Sequence, residues 1–169
     1  MKAIKITLLT VVSLILVWGC ASTPPAPTSA SGNPYVIKVM CSKGNPPEEH
    51  QKSYDEMHAW MQQDLVNQLN QAGYSAEIIS SEDEYTSGEG KYLLLVEMVK
   101  YNPGSSAARI IVGFGAGSAS LDNSYKLYSD KRTPDLEWTD GAGSSGHWTR
   151  IPRKLNTNTV KRINQKLSE

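Results

Sequence analysis

The chain has 169 residues, with 17 basic and 17 acidic side chains and a formal net charge of zero at pH 7. That length suits one domain with enough residues to close a real core. The charge balance and the lack of a long basic run argue against a nucleic-acid partner.

The first twenty residues have the layout of a bacterial export signal. Lys2 and Lys5 supply a positive start, Ile6 to Trp18 an uncharged, mostly apolar stretch, and Gly19 to Ser22 a run of small residues. The apolar stretch falls short of the ~20 residues a membrane-spanning helix needs. "LVWGC" resembles the lipobox of bacterial lipoproteins, with Val17 as the aliphatic position, Gly19 as the small one and Cys20 as the lipidated one. The resemblance implies thioether-linked diacylglycerol on Cys20, several acyl chains of the palmitate kind, and a mature chain starting there. Losing Lys2 and Lys5 leaves 15 bases against 17 acids, a net charge of −2. Ala21, where an aspartate would favour inner-membrane retention, implies an outer-membrane anchor with the domain facing the periplasm.

Ala21 to Pro34 is rich in Pro, Ser and Ala, uncharged and without periodicity. It reads as a semi-extended tether of about 40 Å at ~3.1 Å per residue. The expected organisation is therefore a signal peptide over 1–19, a lipidated cysteine and linker over 20–34, and one α/β domain over 35–169.

Tyr35 to Cys41 is β-branched and apolar, which predicts a strand. A helix is expected from about Pro47 to Ala72, with Asn45 as N-cap, Glu48 and Glu49 at the favourable end of the dipole, and Gly73 as the stop. Its apolar stripe is Tyr54, Met57, Met61, Leu65, Leu69 and Ala72. Tyr74 to Ser81 reads as a second strand, and Glu82, Asp83 and Glu84 as a solvated acidic turn. Tyr92 to Tyr101 is a near-continuous apolar run, which predicts a central strand covered on both faces.

Gly113, Gly115 and Gly117 come after an apolar run, a pattern that in other settings cradles phosphates. A dinucleotide fingerprint needs a helix after the glycines, and a P-loop needs a Gly-Lys-Ser/Thr end. Neither is present. Instead Ala119, Leu121, Asn123, Tyr125 and Leu127 alternate with polar residues, the period of a half-buried strand. The glycines are read as a structural glycine strip on a long bent strand, with no nucleotide bound. Gly141 to Gly146 is expected to be a Gly/Ser loop in a hairpin. A C-terminal helix is expected, with Asn156 or Asn158 as cap and Val160, Ile163 and Leu167 on its apolar side.

The run from Lys91 to Leu121 resembles the bacterial lipoprotein family of domain of unknown function 4410. The features that carry it are a strand over Lys91–Tyr101, an Asn/Pro-Gly loop at Asn102–Ser106, the small-small-Arg step Ala107–Arg109 and the Gly-x-Gly-x-Gly of Gly113–Gly117. The resemblance implies an α/β envelope lipoprotein and brings no catalytic set.

Other chemistry-bearing residues read modestly. His50 and His58 lie eight apart on the helix, not at the i, i+3 or i+4 spacing of helical metal pairs. Once Cys20 carries lipid, Cys41 stands alone, and it reads as a buried strand residue. Ser144, Ser145, His147 and Asp140 lack a nucleophile-elbow motif. Trp138 and Trp148 flank the Gly/Ser loop and are the candidates for partner binding. The expected fold is α/β (α+β), a mostly antiparallel sheet with one long helix and a C-terminal helix packed on it. The expected role is a non-enzymatic binding or assembly module without cofactor, metal, nucleotide or nucleic acid. Its partners would be the membrane, through Cys20, and an envelope protein. The alternative is a periplasmic hydrolase or glycan-binding lipoprotein that uses the loop from Trp138 to Trp148.

Overall fold

β1, Val36–Ser42, turns Ile37 and Val39 inward to complete burial while Lys38 faces out. This is the alternation a pleated strand imposes. The computed structural model describes residues 27–29, 32, 34–45, 48–104, 118–130 and 132–169. The predicted signal, Cys20, and Gly113, Gly115 and Gly117 lie outside the described residues.

α1 runs over Gln51–Gln71, and the predicted stripe of Tyr54, Met57, Met61, Leu65 and Leu69 is buried, joined by Val66. Gly73, at φ 102°, closes the helix. Its N–H bonds the Asn70 carbonyl, and the Tyr74 N–H reaches back to Leu69, both at 3.1 Å. That pairing is the Schellman closure, in which a glycine takes the left-handed position. The helix start differs from expectation. Asn45 does not cap it; a 3₁₀ turn over Glu48–His50 leads in, and His50 holds the N-cap position without a side-chain hydrogen bond. A tight turn is a common helix entry that dispenses with a capping side chain.

The remaining elements are β2 (Ser75–Ile78), β3 (Lys91–Asn102), β4 (Ala119–Tyr128), β5 (Leu136–Ser144) and α2 (Arg150–Leu167). They form one five-stranded sheet in the order β2-β1-β3-β4-β5. β1 pairs in parallel with β2 and β3, and β4 pairs antiparallel with β3 and β5. The antiparallel pairings are the longer, with nine paired positions each against seven and four. The sheet is thus mostly antiparallel, with a parallel edge. Both helices lie on one face, over a core of Ile37, Val39, Leu94, Val96, Met98, Leu121, Tyr125 and Leu127.

β3 is central as predicted, but its second face is only half covered. β2 and β3 run parallel on either side of β1, so the chain must cross back between them. The crossing, residues 79–90, holds the predicted acidic turn as a 3₁₀ turn over Glu82–Glu84, closed by a Ser81–Glu84 capping box. It lays Ile79 and Tyr85 against Leu93, with Met40, Leu95 and Tyr128 around them. The Tyr85 hydroxyl contacts the carbonyls of Lys91 and Ser129 at 3.1 and 2.7 Å. Beyond this strap the outer face opens. A register shift between Met98 and Lys100 pushes Val99 out to 61% exposure.

β4 shows the predicted alternation at every position, with Ala119, Leu121, Asn123, Tyr125 and Leu127 buried. Two expectations at the C-terminal end are corrected. Gly141–Ser144 is not loop but the end of β5, paired with Ala119–Asp122. A side chain at Gly141 would meet the Asp122 carboxylate, which occupies the space beside the glycine. α2 starts at Arg150, well before Asn156 or Asn158, because Pro152 falls in the first turn, where its missing N–H costs nothing. Among the described residues, no helix is long and apolar enough to cross a membrane.

Candidate functional site

α1 and α2 lie side by side, and the seam between them carries most of the distinctive polar and aromatic chemistry. At one end the Trp60 and Trp148 rings meet edge to face, 6.0 Å apart at 75°. The Arg153 guanidinium sits 5.5 Å above the Trp60 ring centre, a cation–π contact. His147 stacks on Trp148 at 5.8 Å. Trp60, a helix position between Met57 and Met61, was invisible as a site residue because nothing in its local pattern marks it.

Asp64 occupies the middle of the seam. Its Oδ2 accepts from Asn156 Nδ2 at 2.8 Å and from Gln68 Nε2 at 2.7 Å, and Arg153 Nε stands 3.7 Å from Oδ1. Asn156 is thus no cap but a buried tie between helices, donating also to the Met61 carbonyl at 3.0 Å. Thr157 Oγ1 lies 3.0 Å from Gln68 Oε1.

From Gln68 onward the two helices line a groove of about 780 Å³, with Gln68, Gln71, Thr157, Val160, Lys161 and Asn164 among its walls. This falls within the few-hundred to thousand Å³ range of ligand sites. Asn164 on its wall is fixed from behind by the buried Tyr74 hydroxyl, which donates to Asn164 Oδ1 at 2.5 Å.

The two tryptophans singled out in the sequence have different fates. Trp138 is 8% exposed and stacks on Tyr125 with ring centres 4.7 Å apart and planes 5° from parallel. It is a core residue, not an exposed platform, because β5 turns it under α2. Trp148 is half-buried against Trp60. The serine–histidine grouping is not drawn together as a relay: Ser144 Oγ accepts from the Gly146 N–H at 3.0 Å, His147 Nδ1 faces Thr149 Oγ1 at 2.8 Å, and Asp140 is held by Asn158 at 2.8 Å.

His58 Nε2 lies 3.0 Å from the Cys41 carbonyl, and His50 is near Glu49 at 3.7 Å, so the two histidines serve different neighbourhoods. Cys41 is only half-buried at its surface but packs against the apolar core, and that desolvation pushes its thiol up to about 12, which keeps it protonated and a poor nucleophile near neutral pH. Among the described residues, no group of three or more His, Cys, Asp or Glu is placed to hold a metal ion.

Two solved structures are similar to this chain at low identity. A PelC dodecamer from Paraburkholderia phytofirmans matches at 14% identity, covering 85% of this chain and 92% of that one, with a TM-score of 0.39. A homolog of neuraminyllactose-binding hemagglutinin from Helicobacter pylori matches at 10% identity over 80% of this chain and 90% of that one, with a TM-score of 0.34. No curated protein matches the chain. Residues 26–147, most of the chain from the linker through β5, match the family described as "Domain of unknown function (DUF4410)", and the chain belongs to that family.

Proposed function

We propose that this protein is a bacterial envelope lipoprotein, anchored through lipid on Cys20, whose domain is a non-enzymatic binding or assembly module. The observation that carries the binding reading is the groove at the end of the α1–α2 seam. Its walls are amides, hydroxyls and short apolar groups, with Lys161 as the only ionisable side chain among the described residues lining it. Such groups bind by hydrogen bonding and packing, and they do not exchange protons near neutral pH. The anchor reading rests on the "LVWGC" motif, and the absence of aspartate at Ala21 favours the outer membrane.

Two experiments test the two halves. Wild-type protein is expected in the detergent phase on phase separation, and Cys20→Ala in the aqueous phase; wild-type protein in the soluble periplasm refutes the anchor. A photo-cross-linker at Gln71 is expected to form a discrete adduct in cells, whereas one at exposed Lys52 on the far side of α1 forms none. Equal behaviour of the two positions refutes the groove as the binding face.

A further inference from the structure

We infer that the seam between α1 and α2 binds an extended acidic polysaccharide, an inference that rests on the proposed reading of the seam as the binding face. Three observations converge on it. The first is charge. α2 carries six basic residues and no acidic one, in a chain whose total charge is zero. Its apolar side is spent on the core, with Ile151, Leu155 and Ile163 at 1% exposure or less, so its outward face is cationic and polar. Among the described residues, only Arg153 and Lys166 of the six stand within 4.0 Å of a carboxylate.

The second is the kind of groups beside that charge. Trp60 and Trp148 are half-buried at one end, and the ring surface left beside Arg153 and His147 suits the apolar face of a sugar ring. Planar amides and a hydroxyl, Gln68, Gln71, Asn164 and Thr157, line the other end, and each offers donors and acceptors to vicinal sugar hydroxyls. Lys161 stands in the groove to meet a carboxylate, while Arg153 is already held between the Trp60 ring and the Asp64 carboxylate.

The third is length. Trp60 to Gln71 spans twelve residues of α1, about 18 Å at ~1.5 Å per residue. That exceeds a single sugar ring and matches a chain laid along the seam. An anionic bilayer is the less suited occupant. A helix that lies on a membrane offers its apolar side outward, and the apolar side of α2 is buried.

The test titrates the purified full-length protein with an oligogalacturonate, reading tryptophan fluorescence at constant salt. Saturable binding is expected, with no change on adding dextran oligosaccharides of equal length. Lys161→Glu and Trp60→Ala are each expected to weaken it about tenfold. Lys161 is exposed, so its replacement leaves the fold intact and keeps the test informative if Trp60→Ala unfolds. The inference is overturned by failure to saturate, by equal affinity for polyglutamate or a thymidine oligonucleotide, or by an unchanged Lys161→Glu variant. Binding only to phosphatidylcholine vesicles containing phosphatidylglycerol likewise overturns it in favour of a membrane surface. If oligogalacturonate fails to bind while the Gln71 adduct still forms, the glycan class falls and the binding face stands.

Discussion

The Tyr54 hydroxyl on α1 engages both backbone groups of Tyr101 on β3, accepting from its N–H at 3.0 Å and donating to its carbonyl at 3.1 Å. The rings meet edge to face at 5.1 Å. β1 has already ended at Ser42, opposite Glu97, so among the described residues that side of β3 has no strand partner here. A single side chain replaces the missing ladder, and both groups are buried.

Tyr54→Phe keeps the ring and removes the hydroxyl, leaving two buried backbone groups unpaired. A loss of about 1–3 kcal/mol is expected. Urea unfolding measures it, and an unchanged midpoint with unchanged slope contradicts the role assigned to the hydroxyl.

Gly44 sits at φ +62°, and a side chain there would run into the Met98 carbonyl oxygen. Gly32 has a similar φ of +76° with open space around it. Gly32→Ala should cost only the left-handed penalty, ~1 kcal/mol, and Gly44→Ala about 2 kcal/mol or more because backbone must move. Equal melting shifts for the two variants would remove the close-approach argument.

Trp138→Ala is expected to destabilise the domain by about 3–5 kcal/mol, as for other large core aromatics. Trp148→Ala, half-buried at the surface end of the seam, should cost clearly less. Thermal melts of both variants decide this, and the reverse order would mean that the stacking on Tyr125 contributes little.

Burial raises the Cys41 thiol from 9.0 to about 12 and the Tyr125 hydroxyl from 10.0 to about 12. Both groups are neutral when protonated, so the folded state holds those protons more tightly than the unfolded chain. Their contribution is complete below about pH 9 and is lost as pH rises from there through about 12, since the unfolded chain ionises first. The urea midpoint should therefore fall between pH 8.5 and pH 11. A flat profile, or ready alkylation of native Cys41 at pH 8, would contradict the burial of these groups.

Saturable ATP or NAD binding is not expected. The described element next in the chain after Gly113–Gly117 is β4, from Ala119, not a helix whose N-terminus could meet a phosphate. Equilibrium dialysis with each nucleotide checks this; saturable uptake abolished by Gly115→Ala would refute it.

Much of the fold was legible because the signals were local. The stripe from Tyr54 to Leu69 and the alternation from Ala119 to Leu127 are periodicities of a helix and a strand, set by backbone geometry within a few residues. Gly73 was legible for the same reason, since a left-handed closure favours glycine wherever the helix packs.

The site was not legible, because it depends on which segments meet. Gly141–Ser144 looks like loop in isolation and becomes strand because β4 offers nine paired positions in register. Trp138 and Trp148 are ten residues apart and equally apolar, yet one lies under α2 and the other against Trp60. The six cations of α2 are diluted to neutrality in the overall composition and become one face only when Ile151, Leu155 and Ile163 turn inward. Composition and periodicity settle which residues seek burial. Which surfaces are left facing each other is settled by non-local pairing and docking, whose energies belong to contacts between distant parts of the chain.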